Sequence, residues 1–193
     1  YPEVPRPTRA SVPMSGSCAP VVFDGYRSVQ VNVDAFGCNI PGDAANEPSI
    51  AIDPSNPRRI AIGWRQFDTV ESSFRQAGVA YSHDGGHSWV FPGVLSPGVF
   101  HSDPVLESDA DGNFFFLGIR CAGPQCGEVF KSIDGGTTWA DPVPAWVGDK
   151  PWIAVDRTGG IGHGNIYAAS GYGLVRSTDG GTTFQHDPFS YLG

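Results

Sequence analysis

The sequence holds no basic run, no long apolar stretch and little room for helices. Twelve Lys and Arg stand against 20 Asp and Glu, a formal charge of −8. The cations are scattered, so a phosphate backbone finds no electrostatic footprint, which argues against nucleic acid as a partner. No segment approaches the roughly 20 consecutive apolar residues of a membrane helix, and no charged amphipathic helix is evident, so a soluble chain without membrane insertion is expected. Cysteine is sparse. Cys18, Cys38, Cys121 and Cys126 form neither a CxxC pair nor a zinc-spaced set with histidine, so no metal and no cofactor is expected. N-x-S/T acceptors are also absent. The chain opens at Tyr1 with neither an initiator Met nor an apolar leader, as in a processed secreted protein or an excised fragment.

What is abundant is Gly (26) and Pro (17), spread along the whole length. They interrupt any long helix and favour many short strands joined by turns. An even cysteine count in such a chain points to disulfides, Cys18 with Cys38 and Cys121 with Cys126, and hence to a secreted or extracytoplasmic location such as the periplasm or cell surface; four buried thiols are the alternative.

Self-similarity organises the rest. Three octapeptides align: SHDGGHSW from Ser82 to Trp89, SIDGGTTW from Ser132 to Trp139, and STDGGTTF from Ser177 to Phe184, at intervals of 50 and 45 residues. That spacing suits one four-stranded propeller blade. Upstream of each lies a second landmark, EPSIAID from Glu47, DPVLESD from Asp103 and KPWIAVD from Lys150, with Pro followed five positions later by Asp. The fold expected is all-β, a β-propeller with three four-stranded blades present: residues 47–97, 98–146 and 147–193. Ahead of them, residues 1–20 read as an extended Pro-rich arm. Residues 21–46 read as an N-terminal hairpin, with Ser28 to Asp34 a candidate ring-closing strand. Asp109, Asp111 and Asn113 mimic the start of a calcium loop, but no Glu follows at the twelfth position, so a plain hairpin is expected.

The octapeptides resemble the Asp box, or BNR repeat, S-x-D-x-G-x-T-W of the sialidase-like superfamily, which includes bacterial secreted proteins described as exo-α-sialidases. Only Ser88 in the first copy and Phe184 in the third depart from the pattern. Asp84, Asp134 and Asp179 are then hairpin clasps that accept hydrogen bonds from their own turns, not catalytic acids, since one acid repeated in every blade is what a fold requires. Ser82, Ser132 and Ser177 begin the boxes; Gly86, Gly136 and Gly181 supply the turns, and Trp89, Trp139 and Phe184 pack between strands.

The resemblance further implies that the boxes lie opposite the ligand face. That face would be built from inner-strand starts (Asn46, Glu47, Asp103, Asp149, Lys150) and second-to-third-strand loops (Arg65, Gln66, Arg75, Arg120, Tyr172). Arginines converging there suit a carboxylated sugar such as sialic acid; mutual ion pairing around a solvated channel is the alternative. The Arg-Ile-Pro motif, Tyr–Glu nucleophile and Asp acid/base of catalytic sialidases cannot be assigned. Three functions stay open: a secreted propeller recognising glycans or protein surfaces, an exo-α-sialidase-type glycoside hydrolase with part of its site outside this chain, or a non-catalytic scaffold. Three blades leave a ring open. Completion is expected from further C-terminal blades, giving six or seven, or from a homodimer with six.

Overall fold

The computed structural model describes residue 18 and residues 20–120 and 126–186, and every regular element in them is a β-strand. No helix among the described residues is long and apolar enough to cross a membrane. The Pro-rich arm lies outside the described residues apart from positions 18 and 20. β1 (Val21–Phe23) and β2 (Tyr26–Ser28) form a separate two-stranded sheet whose six residues are all exposed. Beyond Ser28, the stretch to Asp34 contributes one isolated bridge, Val33 with Asn39, rather than a strand in a blade.

Three four-stranded antiparallel sheets follow. The first comprises β3 (Ala44–Ile52), β4 (Ile60–Phe67), β5 (Gln76–Ser82) and β6 (Val90–Leu95) in sequence order. The second comprises β7 (Ser102–Ser108), β8 (Phe114–Ile119), β9 (Gly127–Ser132) and β10 (Val143–Pro144), and the third β11 (Trp152–Val155), β12 (Ile166–Ser170), β13 (Gly173–Ser177) and β14 (Gln185–His186). These are propeller blades. Each is joined to the next by a connection from its fourth strand to the following first strand.

The apolar run of β8 shows why blades stack. Phe114, Phe115, Phe116 and Leu117 are all buried, and burial of each contributes roughly 1.5–3 kcal/mol. Alternation sends Phe114 and Phe116 into the core shared with the first blade, beside Ala51, Ala61, Ala77 and Leu106, and Phe115 and Leu117 into the core shared with the third, beside Ile153, Ile166 and Val175. Gly63 is needed in the first junction, because a Cβ there would run into Phe116 and Leu106. Polar contacts register the same surfaces: Leu106 N–H donates to Ser49 Oγ at 2.9 Å, and Ser108 Oγ to the Ile52 carbonyl at 2.8 Å. Arg157 of the third blade donates to the Ser108 carbonyl at 2.7 Å and pairs with Glu107.

The octapeptides join the third and fourth strands with one geometry. The N–H of Gly86, Gly136 and Gly181 donates to the hydroxyl of Ser82, Ser132 and Ser177 at 2.9 Å in every case. Each serine in turn donates to its aspartate at 2.7, 2.9 and 2.7 Å. The far carboxylate oxygen takes the hydroxyl of Ser88, Thr138 and Thr183 at 2.6, 2.6 and 2.7 Å, which explains why Ser88 substitutes for Thr without loss. The glycines sit at φ of 83°, 89° and 88°, where a side chain is strained. The hairpin of Asp109 is closed by the aspartate itself, which accepts from the N–H groups of Asp111 and Asn113 at 3.0 and 2.8 Å. Among the described residues no group of His, Cys, Asp and Glu could hold a metal ion.

Hydrogen bonds from Ser88 and Ser82 hold the Asp84 carboxyl well below the usual carboxylate range. Those from Thr183 bring Asp179 down to about 2. Burial pushes Asp134 up, but its bonds to Thr138, Ser132 and Thr137 outweigh it. Carboxylates depressed in the folded state stabilise it above the unfolded pKa of about 4, and that stabilisation is lost as pH falls toward about 2. The thermal midpoint should therefore drop steeply over that window; a midpoint unchanged from about pH 5 to pH 2 would remove the clasps from the stability account. Asp134→Ala should lower the unfolding free energy by roughly 1–3 kcal/mol, read as a shifted denaturant midpoint at constant slope.

Candidate functional site

Along each first strand the chain passes from Glu47, Asp103 or Lys150 toward Asp53, Asp109 or Asp156 at its far end, β3 beginning three residues before Glu47. The Asp boxes lie at the latter end, as the bond from Gly85 N–H to the Arg58 carbonyl at 2.9 Å shows for the first blade. The opposite end therefore carries the first-strand starts, the loops between second and third strands, and the connections between blades.

Glu47, Asp103 and Lys150 share an uncommon backbone. All three precede proline and all three are left-handed, with φ of 51°, 52° and 51°. Residues before proline are normally extended, and non-glycine residues rarely adopt positive φ. The ladders skip at the same place, between Asn46 and Ser49 and between Ser102 and Val105. Proline has no N–H to give a ladder, and a bulge re-aims the preceding side chain. The result is that equivalent residues of three successive blades meet.

Arg65, on the face of β4 that packs against the second blade, pairs with Glu47 and lies 3.6 Å from Asp103. Lys150 Nζ lies 3.4 Å from Asp103 and 3.8 Å from Glu47. Asp103 is buried, whereas the Lys150 side chain is 67% exposed and Glu47 partly so. Burial raises the Asp103 carboxyl, but the Ser102 hydroxyl at 2.7 Å and the charges of Lys150 and Arg65 overcome this and hold it below the ordinary value. Arg75 joins the network through Ser102, donating to its hydroxyl at 3.1 Å. These are the predicted residues that the fold brings together.

Arg120 stands apart from them, donating to Glu128 at 2.8 Å. Glu128 also faces the buried His101, whose Nε2 lies 3.2 Å away; burial lowers the His101 pKa against the pull of Glu128, which favours the neutral ring. Gln66 is turned inward, with its amide on Asp43 at 2.5 Å and its oxygen on Trp64 Nε1 at 2.7 Å. Asn46 lines a small hollow with Val31, Ala45, Pro48 and Trp64. Asp149 and Tyr172 are both exposed. Cys18 and Cys38 form a disulfide, which points to an oxidising, extracytoplasmic compartment. Cys126 is also disulfide-bonded, while Cys121, its expected partner, lies outside the described residues.

The sequence reading missed His101, Ser102, Glu128 and Trp146. His101 and Ser102 directly precede the DPVLESD landmark, a position that signalled them. Trp146 is left-handed at φ 51° and 45% exposed between two fully buried neighbours, Ala145 and Val147. Backbone bonds from Ala145 to Gly127 at 2.7 Å and from Gly127 to Val147 at 2.8 Å lock it there. The Ser170 hydroxyl accepts from Gly148 N–H at 3.0 Å and from Tyr172 N–H at 3.2 Å, tying the Trp146 connection to the Tyr172 turn.

No protein-family model matches the sequence, and no curated protein matches it. Solved structures do share its fold. A protein of unknown function from Dyadobacter fermentans superposes with a TM-score of 0.53 at 17% identity, over 76% of this chain and 54% of that one. YCF48 bound to a D1 peptide gives 0.52 at 13% identity, over 92% and 47%. The exo-β-1,3-galactanase 1,3Gal43A from Clostridium thermocellum gives 0.52 at 15% identity, over 76% and 36%. The chain spans about half or less of these structures, and at such identities the similarity concerns the β-propeller fold alone.

Removing the Arg65 guanidinium takes away one of the opposing charges that keep Asp103 ionised while buried. In Arg65→Gln the Asp103 carboxyl, followed by NMR titration, should move upward from its wild-type value. No movement would show that the pair does not set its ionisation.

Proposed function

We propose that these blades belong to an extracytoplasmic β-propeller of the Asp-box, sialidase-like kind that recognises a glycan or glycoprotein surface at the end bearing Glu47, Asp103 and Lys150, and binds without cleaving. The observation that carries this reading is a cluster whose two carboxylates and two cations neutralise one another, linked to a connection and a turn that expose Trp146 and Tyr172. Neutral sugars offer hydroxyls that both donate and accept, so they can exchange with both members of a loose pair such as Lys150 and Glu47. Aromatic side chains add contact area at little entropic cost.

Retaining hydrolysis asks for one carboxyl protonated near neutrality. Asp103 is driven the other way, and Glu128 is held by Arg120 and His101. A sialic acid carboxylate asks for a guanidinium clamp, but Arg65 is engaged by Glu47 and Asp103 and Arg120 by Glu128. These engagements favour a neutral saccharide. Propellers of similar fold include one described with a bound peptide and one that acts as a galactanase, so both kinds of ligand occur on this architecture.

Glycan-array binding to neutral saccharides is expected, without turnover of a fluorogenic sialoside. Trp146→Ala and Lys150→Ala should each weaken binding by roughly 5–30-fold, the loss of about 1–2 kcal/mol typical of a central contact. Turnover would make the chain a hydrolase, and silence on the array would leave a scaffold.

A further inference from the structure

The connection between the second and third blades differs from the one before it. Ala77 pairs with Leu95 as Gly127 does with Ala145, so Trp146 is the counterpart of Ser96. Both are left-handed, at φ of 51° and 49°, and the backbone bend therefore belongs to the repeat. The tryptophan does not: bulky side chains are rare at positive φ, and serine serves the same bend in the first blade. Six residues lie between Ser96 and Asp103, but only three between Trp146 and Lys150. The four steps of that shorter path reach at most roughly 13–14 Å, while a fourth strand stands about 14 Å from a first across three strand spacings. The connection is thus a nearly straight chord from the outer edge of the blades to the cluster of Glu47, Asp103 and Lys150.

The chord is pinned along its length. The Val147 carbonyl accepts from the N–H groups of Cys126 and Gly127 at 2.9 and 2.8 Å. Gly148 N–H donates to Ser170 at 3.0 Å, and Lys150 N–H to the Asp103 carboxylate at 3.4 Å. Val147 and Gly148 are buried, whereas Trp146, Asp149 and Lys150 are exposed. The second and third blades stand on either side of the chord, so these side chains belong to the end of the molecule and not to an outermost blade face. From rim to axis they run aromatic, carboxylate, ammonium: a flat apolar platform, then an acceptor, then a donor beside the acceptor Glu47.

We infer that this chord is the floor of a linear track, and that the saccharide taken at this end is a chain of several rings laid along it, not a single terminal sugar. The inference rests on the saccharide reading above and specifies its ligand. One ring cannot touch both Trp146 and Lys150 across such a span. A chain can stack one ring on Trp146 while another exchanges hydrogen bonds with Lys150 and Glu47. Because the floor is already fixed, each added ring gains contact without a further ordering cost in the protein. An extended peptide would instead add through main-chain bonds, but the N–H groups of Ala145, Gly148 and Lys150 are committed within the protein, which favours a sugar.

The probes are glucose, galactose and mannose homo-oligosaccharides of one to about six rings, immobilised through their reducing ends. In any series that binds, affinity should rise about tenfold or more between one ring and about four, then level off. Trp146→Ala should abolish that gain while leaving the one-ring affinity unchanged, and Trp146→Phe should keep most of it. Lys150→Ala should weaken every length alike. One ring bound as tightly as four, or a gain that survives Trp146→Ala, would overturn the track and leave saccharide recognition standing. Silence of every series would remove the saccharide reading and the track together.

Discussion

The structure depends on a hydrogen bond repeated three times at one length: a glycine N–H held by the serine that opens its own hairpin. This bond, with the aspartate behind it, lays the glycine pair flat at the blade edge. A flat edge without side chains is what lets the next blade come close, as Gly136 does on Tyr81 and Gly181 on Phe115. Blade spacing therefore follows from a local turn. The clasp is polar, its serines buried and its aspartates turned toward solvent, and its direct contribution to stability is modest beside the buried phenylalanines. Its larger effect is geometric, because it sets where those phenylalanines find their partners.

Spacing at the outer edge fixes convergence at the inner one. The first strands start close enough that Glu47, Asp103 and Lys150 fall within ion-pair reach. Left-handed backbone before proline costs on the order of 1–3 kcal/mol per position, and such geometry persists only where the surroundings over-determine it. Ladder bonds on either side of the skip, together with the charges that meet across it, supply that constraint. Strain repeated in every blade is part of the fold, but the choice of acid, acid and base at the three positions is not dictated by it. That choice is where function can be read.

The sequence disclosed the elements that are local and repeated. The boxes and the Pro-to-Asp landmarks are short patterns whose chemistry acts within a few residues, so the all-β blade architecture could be read directly. Partnerships formed between blades were less legible. Arg65 was legible as a residue of that face, yet its capture by Glu47 and Asp103 depends on β4 and β7 lying side by side. Glu128 carries no motif, and the imidazole that faces it lies 27 positions earlier. Trp146 carries no motif; its position follows from buried neighbours on either side. The stretch beyond Ser28 to Asp34 alternates like a strand, yet it makes a lone bridge, since alternation says nothing about whether a partner edge is free.

Net charge and site charge part company, and the difference bears on what the molecule meets. The chain as a whole carries −8, while the group formed by Glu47, Asp103, Arg65 and Lys150 sums to zero. Long-range steering would therefore repel acidic ligands even though the site itself is neutral. An acidic sugar approaching this end meets an unfavourable field and finds the arginines already engaged. A neutral saccharide, the ligand class proposed for this end, would meet neither obstacle.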